Sequence, residues 1–465
     1  MNAQIPNDTP HVSFLRSERN AAALLLVAAA LGLVLANSPV GSALFDAKNA
    51  HVGFAGIGLD LSLGHWISDG LLAIFFFIVA VELKHELVAG SLNSPAKAIV
   101  PAIAALGGVI VPAGVFLIAT IGSPYGDRWP IPTATDIAFA LGVLAIFGRA
   151  LPTRVRIFLL ALAVLDDLVA ILIIAVFFTT SLNLPALGGA AVAIVVFALL
   201  SRALARRRTT ERGGQWMIVA AMIVVAIAAW YFMYQSGVHA TIAGVALGLA
   251  MAGPPAARAA HALQPISNGL VLPLFAFAAA LVAIPSVGIG QLTPAFWGIL
   301  IALPVGKVVG ITVAGVIANR TVGRNSPALL SLADLVMIGG LGGIGFTVSL
   351  LMNELAFAGL DEVVDEGTLA VLLGSAVSIV VAAVLVSRRS RAYGAADADA
   401  DADAAGAASA ASAASAASAS TLPAGGGADR GGSNGTSGGM DGEGTKGDAS
   451  DGAASGASRA GNVNE

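Results

Sequence analysis

Long apolar stretches, separated by short polar segments, dominate the first 390 residues of the chain. An α-helix needs about 20 predominantly apolar residues to cross a bilayer. Stretches of roughly this length predict an all-α, polytopic membrane protein with twelve transmembrane helices. These predicted spans, numbered in chain order, cover residues 20–37, 66–88, 98–120, 130–148, 155–178, 184–203, 215–233, 237–252, 266–284, 294–318, 330–353 and 367–387.

The composition agrees with this interpretation and excludes several kinds of chemistry. The chain is 57% hydrophobic and only 11% charged, whereas soluble domains are about 25% charged. A net charge of −4 predicts no nucleic-acid partner, and no soluble protein partner is predicted either. Because the chain contains no cysteine, disulfides, thiolate metal sites and cysteine nucleophiles are excluded.

Lysine and arginine are distributed unevenly between the polar segments that join the spans. With the N-terminus placed in the cytoplasm, 18 of these residues lie on the cytoplasmic side and 2, Lys48 and Arg128, on the outer side. Short cytoplasmic loops of membrane proteins carry such an excess. The distribution therefore predicts an even number of spans, with both termini in the cytoplasm.

The chain divides into three parts: a cytoplasmic N-terminal segment (1–19), a transmembrane domain (20–390) and a tail (391–465). A cleaved signal peptide at 21–36 is disfavoured, because its polar lead is long and many spans follow. The tail is rich in Ala, Gly, Ser and Asp and almost free of large apolar side chains. Such a segment buries too little surface to order itself, so we expect a disordered cytoplasmic tail.

Several ionisable residues fall inside predicted spans, where they are energetically expensive and usually mark an ion or proton pathway. Some lie near span ends, where an interfacial position is an alternative. Asp136, Asp166, Asp167 and Lys307 lie deeper, where the alternative is a structural ion pair. The full set is Asp69, Glu82, Glu86, Asp136, Asp166, Asp167 and Lys307.

Asp166 and Asp167 are adjacent in the apolar stretch LALAVLDDLVAILII. Neighbouring helical residues point about 100° apart, so one carboxylate can face a partner while the other faces a cavity. Removal from water and a nearby like charge favour a protonated carboxyl group, whereas a bound cation or an ammonium group favours the ionised form. The pair can therefore hold either protons or a small cation, which is the physical basis of proton-coupled cation exchange.

Two spans contain residues that interrupt helices. IPTATDIAFALG (131–142) places Pro132, Thr135 and Asp136 within the fourth span, and MIGGLGGIGFT (337–347) places five glycines within the eleventh. Discontinuous helices at membrane depth point to a transporter's binding site, although close helix packing through small residues is an alternative for the glycines. The two spans occupy the middle of the triplets 3–5 and 10–12, which predicts inverted repeats. Asp136 could neutralise facing helix N-termini, and Lys307 facing C-termini.

Six motifs resemble those of the bacterial NhaA family of sodium/proton antiporters, in order and spacing across roughly 15–390. They are TATDIAFALG (133–142), LAVLDDLVAI (162–171), SGVHATIAGV (236–245), LPLFAFA (272–278), GKVVGI (306–311) and GGIGFTVSL (342–350).

The resemblance implies a bacterial inner-membrane protein whose broken fourth and eleventh spans cross. It implies electrogenic exchange of cytoplasmic Na⁺ or Li⁺ for more than one external proton, without a cofactor, in sodium and pH homeostasis. Asp166 and Asp167 would bind Na⁺ and protons, and Lys307 would pair with Asp166 when Na⁺ is absent. Thr135 and Asp136 would lie at the crossing.

The resemblance further implies a cytoplasmic pH-response cluster and a homodimer through the outer loop 48–66, whose alternation predicts a hairpin. Asp69 matches an acid near the outer end of the second span. Some positions depart from the family's pattern, namely His85, Ala260, Gln264 and Ala279. Residues assigned to pH response are Glu82, Lys84, His85, Glu86 and His261.

Three other functions are compatible with a membrane protein that carries buried charges. An intramembrane aspartyl protease also needs two aspartates, but its YD and GxGD signatures do not occur, and we expect no enzyme activity. A sodium-coupled symporter of an organic anion with the same fold is the main alternative. A non-transporting scaffold would leave the buried charges without a use.

Overall fold

A computed structural model gives the structure of most of the chain. Two compact units are distinguished, Met1–Asp401 and Ala402–Glu465. The first 16 residues of the N-terminal segment and the end of the tail, 420–465, lie outside the described residues. The described residues are 17–90, 92–179, 182–206, 212–284, 289–322 and 329–419.

Within these residues, ten helices are long and apolar enough to cross a membrane, and a bent pair of shorter helices makes eleven. The eighth predicted span is a shorter apolar helix, Thr241–Ala250. The prediction of an all-α polytopic membrane protein is thus confirmed. In chain order the spans contain Glu18–Ala36, Leu63–Val88, Pro95–Ala119, Ile137–Phe147, Thr153–Phe177, Leu184–Arg206, Arg212–Gln235, Thr241–Ala250, Gly253–Ala279, Pro294–Thr321, the pair Leu332–Gly342 and Phe346–Ala356, and Asp361–Ala419.

In the part of the chain that the structure describes, three spans contain a widened π-helical turn, a feature that often occurs at functional positions. These turns are Trp66–Leu71 in the second span, Ser267–Val271 in the ninth and Ala302–Gly306 in the tenth. The last of them ends immediately before Lys307. The orientation of that lysine therefore depends on a local departure from regular α-helix.

The ninth span begins earlier than predicted, and this corrects one assignment. Its helix starts at Gly253, whereas the sequence placed the span at 266–284. Pro254 favours this start, because proline is tolerated in the first turn of a helix. Ala260, His261 and Gln264 therefore lie on a helix and not in a loop between the eighth and ninth spans.

Two further elements differ from the sequence-based expectation. A helix, Gly41–Asn49, precedes the outer hairpin and was not predicted. The last helix, Asp361–Ala419, continues into the first part of the tail, which was expected to be disordered. Alanine is frequent there, and it has the highest helix propensity of all residues.

The outer hairpin forms as the alternation predicts. Strands His51–Phe54 and Leu59–Ser62 pair antiparallel, with His51 opposite Ser62. Gly58 has a φ of 69°, a conformation that glycine adopts readily. The carbonyl oxygen of Ile57 accepts hydrogen bonds from Tyr231 Oη at 2.8 Å and Gln235 Nε2 at 3.0 Å. The tip of the hairpin is thereby fixed to the seventh span.

The third and tenth spans make the most extensive helix contact close to the buried lysine. Gly107 and Gly310 face each other, and a methyl group at Gly107 would lie 2.5 Å from the carbonyl oxygen of Gly310. Small residues let two helix backbones approach closely within a membrane. This close packing fixes the tenth span, and with it the buried Lys307.

Candidate functional site

Both predicted breaks are present, and they meet. In the fourth span, helix Ile137–Phe147 is preceded by extended backbone at Ala134 and Asp136. In the eleventh span, helices Leu332–Gly342 and Phe346–Ala356 are bent by 50° relative to each other. The backbone N–H of Asp136 donates to the carbonyl oxygen of Ile344 at 2.6 Å. The two broken spans therefore meet at their interruptions, as the resemblance implies.

Asp136 caps helices from both broken spans. One carboxylate oxygen accepts a hydrogen bond from the backbone N–H of Phe139 at 3.2 Å. The other accepts from the backbone N–H and the hydroxyl of Thr347, at 3.1 and 2.7 Å. Side-chain oxygens satisfy N–H groups that the first turn of a helix leaves unpaired, and negative charge is favourable there. Asp136 neutralises two facing N-termini, as the sequence predicts.

Lys307 is fully buried and forms an ion pair with Asp166. Its Nζ lies 3.0 and 2.9 Å from the two carboxylate oxygens of Asp166, and it donates to Thr135 Oγ1 at 3.0 Å. The hydroxyl of Thr135 in turn donates to the carbonyl oxygen of Gly342 at 2.8 Å. Lys307 thus reaches the C-terminal end of helix Leu332–Gly342, which the sequence predicts it could neutralise, through Thr135.

Asp167 has a different environment from its neighbour. It is buried, with 8% of its surface exposed, and its carboxylate makes no hydrogen bond among the described residues. Its acidic neighbours are Asp166, Asp136 and Glu82, and Lys307 is the basic one. The two adjacent aspartates therefore have different surroundings, as the helical geometry predicts. One carboxylate is paired, and the other remains available for a proton or a cation.

The residues assigned to pH response lie near the predicted cytoplasmic end of the second span, apart from His261 on the ninth. Lys84 Nζ donates to the carbonyl oxygens of Leu249 and Met251, at 2.8 and 2.7 Å. It therefore caps the C-terminus of the short eighth-span helix. Glu82 is exposed, and its negative charge acts on Asp167. His85 and His261 are exposed and are not part of the buried site.

A second polar region lies at the outer end of the second span. The carboxylate of Asp69 is 3.5 Å from His239 Nδ1, and the backbone carbonyl of Asp69 accepts from Trp230 Nε1 at 2.8 Å. The side chains of Asp69 and His239 line a cavity of about 440 Å³, together with Glu354. Glu354 lies on helix Phe346–Ala356, one residue beyond the predicted end of the eleventh span at 353. The cavity provides an opening on the predicted outer side.

The sequence reasoning missed two participants in the eleventh span. Thr347 binds Asp136, and Asp334 is a buried acid at the start of the span. Asp334 could have been found from SLAD (331–334), because a Ser followed three residues later by an acid before an apolar run is a helix-start signature. Thr347 carries no comparable signal, since its role depends on the position of Asp136.

Among the described residues, no group of three or more His, Asp or Glu side chains is placed to hold a resident metal ion. A transported cation is a different case, because it must also be released. Two carboxylates with one hydroxyl nearby provide the hard oxygen ligands that suit a small cation.

Comparison of the whole sequence with known proteins supports the family resemblance that the six motifs indicate. A model of the family described as Na⁺/H⁺ antiporter 1 matches residues 12–386. This chain belongs to the NhaA family of Na⁺/H⁺ antiporters. It is 62% identical over 383 residues to Na⁺/H⁺ antiporter NhaA 2 of Clavibacter michiganensis, an alignment covering 82% of this chain and 92% of that protein.

Two more distant NhaA relatives cover a similar part of the chain. NhaA of Tropheryma whipplei is 46% identical over 380 residues, covering 81% of this chain and 95% of the relative. NhaA 3 of Streptomyces coelicolor is 44% identical over 404 residues, covering 84% and 82%. The family match ends at residue 386, so the tail and the C-terminal end of the last helix lie outside it.

Proposed function

We propose that this protein exchanges cytoplasmic Na⁺ or Li⁺ for external protons at Asp166 and Asp167. Its NhaA relatives, which are named as Na⁺/H⁺ antiporters, support exchange of Na⁺ and H⁺. The observation that carries the proposed site is the contrast between the two buried aspartates. Asp166 is held by Lys307, whereas the carboxylate of Asp167 has acidic neighbours and no hydrogen bond among the described residues.

The proposed cycle follows from competition for these carboxylates. With Na⁺ absent, the Lys307 ammonium balances Asp166, and Asp167 carries a proton. A Na⁺ ion that enters from the cytoplasm displaces two protons, the one on Asp167 and one held in the Lys307–Asp166 pair, because a bound cation favours the ionised carboxylates. Both carboxylates can face the ion only if the pair between Lys307 and Asp166 opens. Thr135, backbone carbonyls and water would supply the remaining oxygen ligands.

Alternating access completes the proposed exchange. The crossing of the fourth and eleventh spans places the site where one group of helices can rock against another, which is how transporters of inverted-repeat architecture work. Asp136 keeps its bonds to both spans, so the crossing moves as a unit. Exchange of more than one proton for each Na⁺ would move net charge inward, so the transport would be electrogenic.

Location and assembly belong to the same proposal. The lysine and arginine distribution supports an inner-membrane protein with both termini in the cytoplasm. There it would contribute to sodium and pH homeostasis. The outer hairpin, 51–62, presents unpaired strand edges, which pair readily with another chain. We propose that two copies associate through this hairpin and the surrounding loop, 48–66.

Proton movement in everted membrane vesicles tests the exchange. A pH-sensitive dye follows the gradient as NaCl, LiCl or KCl is added over a series of pH values. Recovery of the dye signal with Na⁺ and Li⁺ but not K⁺ is expected for the wild type. Asp167→Asn should abolish the response. Asp46→Asn makes the same chemical change at an exposed position and should leave the response intact.

Two outcomes would contradict the proposal. Full Na⁺-dependent proton movement in Asp167→Asn would exclude the proposed site. No response of the wild type at any pH would favour the symporter, which is tested by Na⁺-dependent uptake of organic anions in the same vesicles.

A further inference from the structure

The most completely bonded buried acid outside the site is Asp334, at the cytoplasmic start of the eleventh span. Its side chain is 0% exposed. The Nε of Arg389 donates to one carboxylate oxygen at 2.9 Å, and the Nη2 of the same arginine lies 2.8 Å from that oxygen. The other oxygen accepts from Tyr393 Oη at 2.9 Å and from Ser331 Oγ at 2.7 Å. Bonds between ionised partners of this kind are the strong ones.

The same turn of the last helix contacts the connection between the fourth and fifth spans. Ser390 Oγ accepts a hydrogen bond from the backbone N–H of Ala150 at 3.1 Å. The Tyr393 hydroxyl also lies 3.5 Å from Arg154 Nη2. The guanidinium of Arg389 stacks over the Tyr393 ring, 4.6 Å from its centroid. We call Arg389, Ser390 and Tyr393 the cytoplasmic clamp.

Each element held by the clamp leads to a different part of the transport site. Helix Leu332–Gly342 begins at the clamp and ends, about 16 Å away at 1.5 Å per residue, at the Gly342 carbonyl that binds Thr135. Helix Thr153–Phe177 carries Arg154 at its start and Asp166 about 18 Å further along. Ala150 follows the helix that Asp136 caps.

These connections are rigid, so the position of the clamp is transmitted to the site. A methyl group at Gly339 would lie 2.9 Å from Val308 Cα, and one at Gly340 would lie 3.1 Å from Leu385 Cδ1. Helix Leu332–Gly342 is thus packed closely against the tenth and twelfth spans. Binding groups must be held to within about 0.5 Å of their productive geometry. Movement at the clamp would therefore shift the side chains of Thr135 and Asp166.

We propose that Arg389 and Tyr393 are positioning residues that set the affinity of the Asp166 and Asp167 site for Na⁺ from the cytoplasmic ends of three helices. Neither residue touches the site itself. Both lie beyond residue 386, where the family match ends. The inference rests on the proposed function, because affinity is read from Na⁺-dependent exchange.

The decisive experiment compares neighbouring arginines. Arg389→Gln removes the bonds to Asp334, whereas Arg388→Gln removes an exposed charge that has no partner among the described residues. Na⁺ is titrated in everted vesicles at several pH values to obtain apparent KM and maximal rate. Arg389→Gln should raise the apparent KM about fivefold or more, the lower end of typical coupling between sites. The maximal rate, corrected for protein amount, and the Arg388→Gln values should stay near wild type.

Further variants separate positioning from general loosening of the fold. Arg389→Lys keeps the charge but loses the paired N–H geometry, so its KM should fall between those of wild type and Arg389→Gln. Tyr393→Phe removes a single oxygen and should raise the KM in the same direction. If Arg389→Gln does not reach the membrane, Tyr393→Phe decides the question.

Two results would overturn the inference in distinguishable ways. Wild-type apparent KM in both Arg389→Gln and Tyr393→Phe, in membranes where the wild type exchanges Na⁺, would exclude the clamp and leave the proposed function intact. Absence of Na⁺-dependent proton movement in both wild type and Arg388→Gln would exclude the exchange, and with it any role of the clamp in exchange.

Discussion

The carboxylate of Asp136 accepts two hydrogen bonds from Thr347, one from the backbone N–H at 3.1 Å and one from the hydroxyl at 2.7 Å. This contact joins the fourth span to the eleventh. The two residues are far apart in the sequence and lie at the interruptions of the two broken helices. One carboxylate therefore stabilises the crossing on which the site is built.

Asp136→Asn should destabilise the protein, because an amide has a single acceptor oxygen and presents N–H groups to donors. Each hydrogen bond to a charged group contributes about 1.5–3 kcal/mol. Thermal unfolding of the purified protein in detergent should show a clear decrease in Tm. Thr347→Val, which removes only the hydroxyl donor, should cause a smaller decrease. Equal Tm values for Asp136→Asn and wild type would contradict the capping role.

Lys307→Ala should be strongly destabilising, because it leaves Asp166 buried without its charged partner. Removal of one member of a buried pair costs about 3–5 kcal/mol, whereas removal of both is often far less harmful. The double variant Lys307→Ala/Asp166→Asn should therefore recover part of the lost thermal stability, although it should not exchange ions. If the effects of the two single substitutions simply add in the double variant, the residues are not coupled.

Gly345→Ala should damage the crossing of the broken spans. A methyl group there would lie 2.8 Å from the carbonyl oxygen of Ala134, a backbone atom that cannot move aside easily. We expect loss of exchange and a lower Tm. Gly188→Ala is the matched control, because no described atom beyond its own turn of helix lies within 4 Å of the added methyl group. Wild-type exchange in Gly345→Ala would mean that the two breaks are not held at this distance.

Lys84→Met should loosen the short eighth-span helix whose C-terminal carbonyls it binds. A cation at a helix C-terminus contributes about 0.3–1 kcal/mol, and more when it is partly buried. Faster hydrogen exchange of the backbone amides in Thr241–Ala250 is the expected result. Lys97→Met removes an exposed lysine and should leave that exchange unchanged. Unchanged protection in Lys84→Met would assign Lys84 a role other than capping.

Much of the candidate site could be predicted from the sequence because burial of charge in a membrane is so unfavourable. Asp136, Asp166, Asp167 and Lys307 stand out against apolar surroundings, and proline, threonine and glycine mark both broken spans. The 100° step between adjacent helical residues even predicts that Asp166 and Asp167 face different partners. These properties are local, so neighbouring residues suffice to reveal them.

Other features depend on residues that are distant in the chain. The family resemblance, and not the local sequence, implied Asp166 as the partner of Lys307. That choice, the bond from Lys84 to the eighth-span helix, and the contact between Asp136 and Thr347 each require two helices to be packed in one orientation. The start of the ninth span at Gly253 also differs from the hydropathy pattern.

The all-α membrane class and the identity of the buried charges can be predicted from the sequence, because hydrophobicity and charge burial act residue by residue. Only the tertiary structure decided which charges pair and which remain available. It also decided that Arg389 and Tyr393 reach Asp334, since such pairing depends on distances of a few ångströms between separate helices.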